Sequence, residues 1–238
     1  VVCRAWGVGR GMEKDMTRQP FVVESALARI AEAVRPFPPA ALFALADEGF
    51  SSPFEQLMAC ILSIRTLDEV SIEAARRLFA HARTPAELLA HSATMIDQWI
   101  TPCTFHTAKA WQLREIAHVV ETEHGGVLPC DFAALTALKG VGPKCANLVL
   151  GIACGQPAIS VDIHVHRITN RWGYVQTATP EQSMTALERK LPQPLWITIN
   201  RLLVPFGKHI CTGRAPRCGA CPVLDMCAQV GVTTTRRE

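Results

Sequence analysis

The fourteen residues Leu138 to Gly151, LKGVGPKCANLVLG, constrain this chain more than any other stretch. A Gly-Val-Gly turn leads through Pro143 into an apolar run, and a short helical pattern, Asp131 to Leu138, precedes it. The layout predicted over residues 131–153 is helix, glycine turn, helix. Gly140 and Gly142 are expected to use backbone angles closed to other residues. Pro143 suits a first helical position, where a missing N–H costs nothing. The free N–H groups at that helix start, with the helix dipole, favour an anion, and a phosphate is the natural guest. Gly140, Val141 and Gly142 are therefore candidate phosphate contacts. Lys144 falls in the first helical turn, a poor place for a cation. That position favours a neutral, nucleophilic amine. From the turn alone, Lys144 reads equally well as one more phosphate contact.

Nearly every other segment carries a helical period punctuated by turn signals. Helices are predicted over Val22–Val34 and Ala40–Ala46, from the capping box Ser52-Pro53-Phe54-Glu55 to about Ile64, and over Asp68–His81. A second box opens at Thr84 and a short helix at Ser92. Phe105–His124, Asp162–Trp172, Thr179–Leu191 (a third box) and Leu195–Phe206 follow. No stretch alternates well enough for a sheet, so the expected class is all-α.

Apolar residues make up 49% of the 238, enough for a sizeable core, and no apolar run approaches a membrane span. The net charge of +3 does not announce nucleic acid, but from Arg201 to Glu238 six Lys/Arg stand against two Asp/Glu. Four of the ten cysteines form Cys211-x6-Cys218-x2-Cys221-x5-Cys227. Four thiolates at such spacing hold a metal centre, with zinc and an iron–sulfur cluster the rivals. The other six (Cys3, Cys60, Cys103, Cys130, Cys145, Cys154) are read as buried free thiols of a reducing compartment. Residues 1–20 read as a mobile tail, with Met12 or Met16 a natural start, and no signal region is found. The expected location is cytoplasmic. Trp99, Trp111, Trp172 and Trp196 are expected in the core.

Three motifs in order, ILSIRTLDE (Ile61–Glu69), LKGVGPKCANLVL and VDIHVHR (Val161–Arg167), with the cysteine spacing after them, resemble the endonuclease III family of DNA glycosylases. The resemblance runs from about Phe21 to Gln229. It implies a helix-hairpin-helix glycosylase fold. A six-helix domain (47–157) would pair with a discontinuous cluster domain (21–46 and 158–238), with a DNA-binding cleft between them. It implies a [4Fe–4S] cluster on Cys211, Cys218, Cys221 and Cys227. It also makes Asp162, otherwise a simple helix cap, the catalytic carboxylate facing Lys144. The implied activity is removal of oxidised pyrimidines by base flipping, attack of Lys144 on the anomeric carbon, a Schiff base and strand cleavage. Such enzymes act as monomers on damaged double-stranded DNA. A mismatch or photodimer glycosylase of the same fold, or a scaffold that binds DNA without turnover, are the alternatives.

The chain departs from the family pattern at the DNA-facing loops. Arg65 stands where glutamine commonly fills the gap left by the flipped base, and arginine can donate to the orphaned base. Leu67 replaces a threonine. Phe105, in Cys103-Thr104-Phe105-His106, is the expected wedge between bases, with a core position as its alternative. His106 is expected at a phosphate or sugar. His164 and Arg167 share a helix face that the resemblance puts near DNA. Lys139 and Asn147 are placed there too. Arg214, with Arg217, is expected to reach phosphates from the cluster loop.

Overall fold

The computed structural model describes residues 19–236. Among these there is no strand. The chain forms α1 (Val23–Val34), α2 (Ala41–Asp47), α3 (Pro53–Ser63), α4 (Asp68–Phe79), α5 (Pro85–Leu89) and α6 (Ala93–Ile100). After these come α7 (His106–His124), α8 (Phe132–Ala137), α9 (Pro143–Ile152), α10 (Ile163–Arg171), α11 (Pro180–Lys190) and, after a 3₁₀ turn at Gln193–Leu195, α12 (Trp196–His209). The predicted starts hold because their caps do. Ser52 and Thr84 accept from the N–H of Glu55 and Glu87, whose carboxylates return to the cap N–H. At Thr179 the box stays open, because Gln182 accepts from Ala178 N–H instead. Helix α12 continues through Pro205 to His209, one turn past its predicted end. All but Gln19 and Pro20 of the segment read as a tail lies outside the described residues.

Two apolar cores organise the helices. One gathers residues from α2 to α9, including Leu57, Ile61, Leu78, Ile96, Leu113 and Val149. The other joins α1 to α10, α11 and α12 through Leu27, Ile30, Ile168, Leu187, Leu203 and Phe206. Helix α2 belongs to both sides. Its Ala41, Leu42 and Leu45 enter the first core, while Phe43, with Ala40, meets Val204 of α12. The bodies are also joined at α9 and α12, where a Cβ on Gly151 would stand 2.5 Å from Ile197 Cδ1. Two ion pairs cross between them, Arg201–Asp47 and Lys208–Asp68. Among the described residues no helix is long and apolar enough to cross a membrane.

Two expectations fail here. Four of the cysteines read as free thiols are paired, Cys60 with Cys145 and Cys130 with Cys154. Each lies in a different helix or loop from its partner, so neither pair leaves a spacing signal in sequence. Cys103 is a buried free thiol as expected, and Cys3 lies outside the described residues. Trp111 is 64% exposed on α7, although Trp172 is buried as expected.

Candidate functional site

The helix-hairpin-helix forms as read. Asp131 caps α8 through Ala134 N–H, and α9 begins at Pro143. The two glycines act differently. Gly140 takes φ +75°, the left-handed region that glycine enters freely. Gly142 is extended at φ −94° and has no need of that freedom, contrary to expectation. Its missing side chain instead leaves open space in front of the α9 start, since an added Cβ would meet nothing within 4 Å. Val141 buries its side chain in the first core, so only its backbone faces outward. From α7, Gln112 Nε2 donates to Lys139 O (2.8 Å) and Glu115 pairs with Lys139 Nζ (2.9 Å). These two α7 residues, which the sequence did not single out, hold the turn from behind.

Lys144 is exposed on the first turn of α9, and it lines the same pocket as Asp162, Asp68, Ser63, Asn200, the α2 cap Ala40 and Ala41 to Phe43 of α2. Asp162 is the N-cap of α10. Its Oδ1 accepts from His164 N–H (2.9 Å) and Val165 N–H (2.8 Å). Capping thus occupies one carboxylate oxygen, and the same side chain still lines the pocket beside Lys144. The two roles weighed for Asp162 are compatible. Among the described residues Lys144 forms no ion pair. Asp68, in the same wall, is engaged by Lys208 from the other core.

Two loop tips, one after α3 and one before α7, meet each other. Arg65 (φ +54°) and Phe105 (φ +58°) are both left-handed, and the Arg65 guanidinium carbon lies 6.0 Å from the Phe105 ring centre. Phe105 is 59% exposed, which rules out the core alternative. His106, beside it, has its Nδ1 held by Asp97 Oδ1 at 2.6 Å. His164 and Arg167 turn inward. Arg167 Nη2 donates to Gly207 O and Cys211 O and lies 3.1 Å from His164 Nδ1. Asn147 is likewise buried, donating to Ile159 O.

Cys211, Cys218, Cys221 and Cys227 line one small cavity with Trp172, Phe206 and Ile210. Burial and three neighbouring thiols push the Cys221 thiol up to about 12, so thiolates there need a cationic centre. Four sulfurs around a hollow fit a cluster. Helix α10 carries the loop: Arg171, which the sequence reading missed, donates to Thr212 O and Gly213 O, and its Nη1 lies 3.4 Å from Cys211 Sγ. One helix therefore caps itself with Asp162 and grips the cysteine loop with Arg167 and Arg171. Arg214 and Arg217 stay exposed on that loop.

This combination of a helix-hairpin-helix, a pocketed lysine and a four-cysteine loop has known counterparts. Residues 58–193 match the HhH-GPD superfamily of base excision DNA repair proteins, and residues 211–227 match the iron–sulfur binding domain of endonuclease III. Endonuclease III of Thermotoga maritima is 39% identical over 74% of this chain and 83% of its own length. That of Escherichia coli K12 is 35% identical over 75% and 84%. A solved endonuclease III–DNA covalent intermediate, trapped with an estranged adenine, superposes with a TM-score of 0.72 at 27% identity, over 87% of this chain and 94% of that one. The chain belongs to the endonuclease III family, whose members are DNA glycosylases and abasic-site lyases. The family carries a [4Fe–4S] cluster, and the matched iron–sulfur segment, residues 211–227, begins and ends on two of the four cysteines.

Proposed function

We propose that Lys144 is the nucleophile and Asp162 the catalytic carboxylate of a bifunctional glycosylase and abasic-site lyase for oxidised pyrimidines in double-stranded DNA. The observation that supports this reading is the shared pocket: an exposed amine, without an ion pair among the described residues, and a carboxylate line it together, and the amine sits on the helix that starts at the glycine turn. Asp162 accepts a proton from Lys144. The amine then attacks C1′ of the flipped nucleotide, and the C1′–N bond breaks as the base leaves with its electron pair. Asp162 also stabilises the positive charge that develops on the sugar. The sugar ring then opens as the C1′–O4′ bond breaks and O4′ takes a proton, which leaves a C1′ Schiff base; this acidifies the neighbouring C2′–H, and loss of that proton expels the 3′ phosphate. Water then releases the amine.

The backbone N–H groups of Gly140, Val141 and Gly142 receive a DNA phosphate. Arg65 and Phe105 enter the stack, where Arg65 donates to the orphaned base and Phe105 separates neighbouring steps. His106, fixed by Asp97, stands next to that wedge at the sugar–phosphate edge. When bound, the cluster supplies a crosslink among four thiolates that shapes the loop presenting Arg214 to a phosphate. The enzyme works as a monomer, as enzymes that resemble it generally do.

Borohydride reduction with an abasic duplex should trap a covalent adduct that Lys144→Gln cannot form. Release of thymine glycol by the same holoenzyme tests the substrate class. Cleavage of abasic sites without release of thymine glycol would move the base preference to mismatched or photodimer bases. An adduct surviving Lys144→Gln would remove Lys144 from its role.

A further inference from the structure

One buried cation has no part in the chemistry above. Lys109, on the second turn of α7, is 4% exposed. Its Nζ donates to Leu62 O (2.8 Å), Ile64 O (2.8 Å) and Thr66 Oγ1 (3.0 Å). The two carbonyls lie at the C-terminal end of α3, where carbonyls lack helical partners and a positive charge is favoured, and the hydroxyl belongs to the loop that follows. The same Thr66 hydroxyl accepts from Thr104 N–H at 3.2 Å, in the loop that delivers Phe105. Arg65 lies between Ile64 and Thr66, so the tip that carries it is tied on both sides. Both tip residues hold left-handed backbone angles, which persist in non-glycine residues only where surrounding bonds impose them.

We propose that Lys109, through Thr66, is a positioning residue that locks the Arg65 and Phe105 tips into one rigid wedge for opening the duplex. This rests on the glycosylase reading and deepens it. The lock is made before DNA arrives. The ordering of two loops is therefore already present when the base pair must be broken, and the wedge does not relax around an intact stack. Thr66 is the joint: one hydroxyl oxygen receives both the ammonium and the N–H of the opposite loop.

A merely structural cap would lower stability and depress every activity alike. A positioning role separates substrates. Lys109→Gln and Thr66→Val holoenzymes should be compared with the native protein in single-turnover release of thymine glycol from a fully paired duplex. The same lesion should then be set in a bubble of mismatched pairs, where the stack is already open. We expect release from the paired duplex to fall by about 10-fold or more, as misplacement of supporting groups does. In the bubble the rates should lie within about threefold of native. Thr66→Val keeps both Lys109 bonds to carbonyls and so reports on the joint even where Lys109→Gln folds poorly. Equal losses on paired and open substrates, or no loss on the paired one, would overturn the proposal. If the native protein releases the base from neither substrate and traps no adduct, the glycosylase reading fails instead.

Discussion

Lys144, on the first turn of α9, and Asp162, the N-cap of α10, line one pocket although their helices belong to different apolar cores. The carboxylate also accepts two backbone N–H groups through Oδ1. Substitution can separate these duties. Asparagine caps a helix about as well as aspartate but takes no proton at neutral pH. Asp162→Asn should therefore unfold within a few tenths of a kcal/mol of native, roughly the spread among good caps, while base release slows by about 100-fold or more. Asp162→Ala should lose a similar rate and also about 1 kcal/mol of stability. Denaturant melts and single-turnover kinetics on the two variants check both. Equal rates for native and Asp162→Asn would leave the residue a cap alone.

The two glycines of the hairpin should respond differently to alanine. At Gly140 a side chain would be held at φ +75° and would meet Gln112 Nε2 at 2.5 Å, the group that pins Lys139 O. Left-handed backbone costs an L-residue about 1–2 kcal/mol, so Gly140→Ala should lower the melting temperature. Gly142 is extended with open space before it. Gly142→Ala should melt like the native protein yet bind abasic-analogue DNA more weakly, because the methyl stands where the phosphate approaches. Unaltered affinity in Gly142→Ala would mean that the turn does not meet the backbone.

The disulfides brace the same motif. Cys130–Cys154 closes the ends of the helix-hairpin-helix, and Cys60–Cys145 fastens α9 to α3 one residue after Lys144. Closing loops of this size restricts the unfolded chain by about 2–4 kcal/mol each. Non-reducing mass spectrometry should show two fewer hydrogens per bridge. The Cys130→Ser/Cys154→Ser double variant should melt at lower temperature, with its iron content unchanged. A native-like melt in that variant would show that the surface bridge contributes nothing.

Much of this site was legible because its signals are local. A Gly-Val-Gly-Pro turn, a capping aspartate and four spaced cysteines each write their geometry into adjacent residues, so the hairpin, the start of α10 and the cysteine loop could be read locally, while a catalytic role for Asp162 came only from the family resemblance. What escaped depends on distant residues meeting. Lys109 reads as an unremarkable charge on a helix until α3 ends against it. Arg167, expected to face DNA, and Arg171, which carries no local signal, become ties to the cysteine loop only when that loop folds onto α10. The cysteine pairs join positions 85 and 24 residues apart, with nothing between them to mark the partner. Gly142 was misjudged for a different reason: its spacing in the turn matches that of Gly140, but only the fold decides which glycine bends backward.

His164 gives the clearest dependence on pH. Burial lowers its proton affinity first, and Arg167 and Lys208 lower it further, while Asp162 and Asp68 act the other way. Its Nδ1 lies 3.1 Å from Arg167 Nη2 and close against Gly207 of α12, so the folded protein favours the neutral ring. Above an unfolded value of about 6.5 the ring is neutral in both states and contributes no slope. As pH falls through that value, the unfolded chain takes up a proton that the folded one resists. Stability should then drop until pH passes below the depressed folded value. Urea melts between about pH 7 and pH 5 should show a falling midpoint, and His164→Gln should flatten that fall because an amide does not titrate. The same slope in both proteins would assign the pH response to other groups and leave the inward packing of His164 without electrostatic consequence.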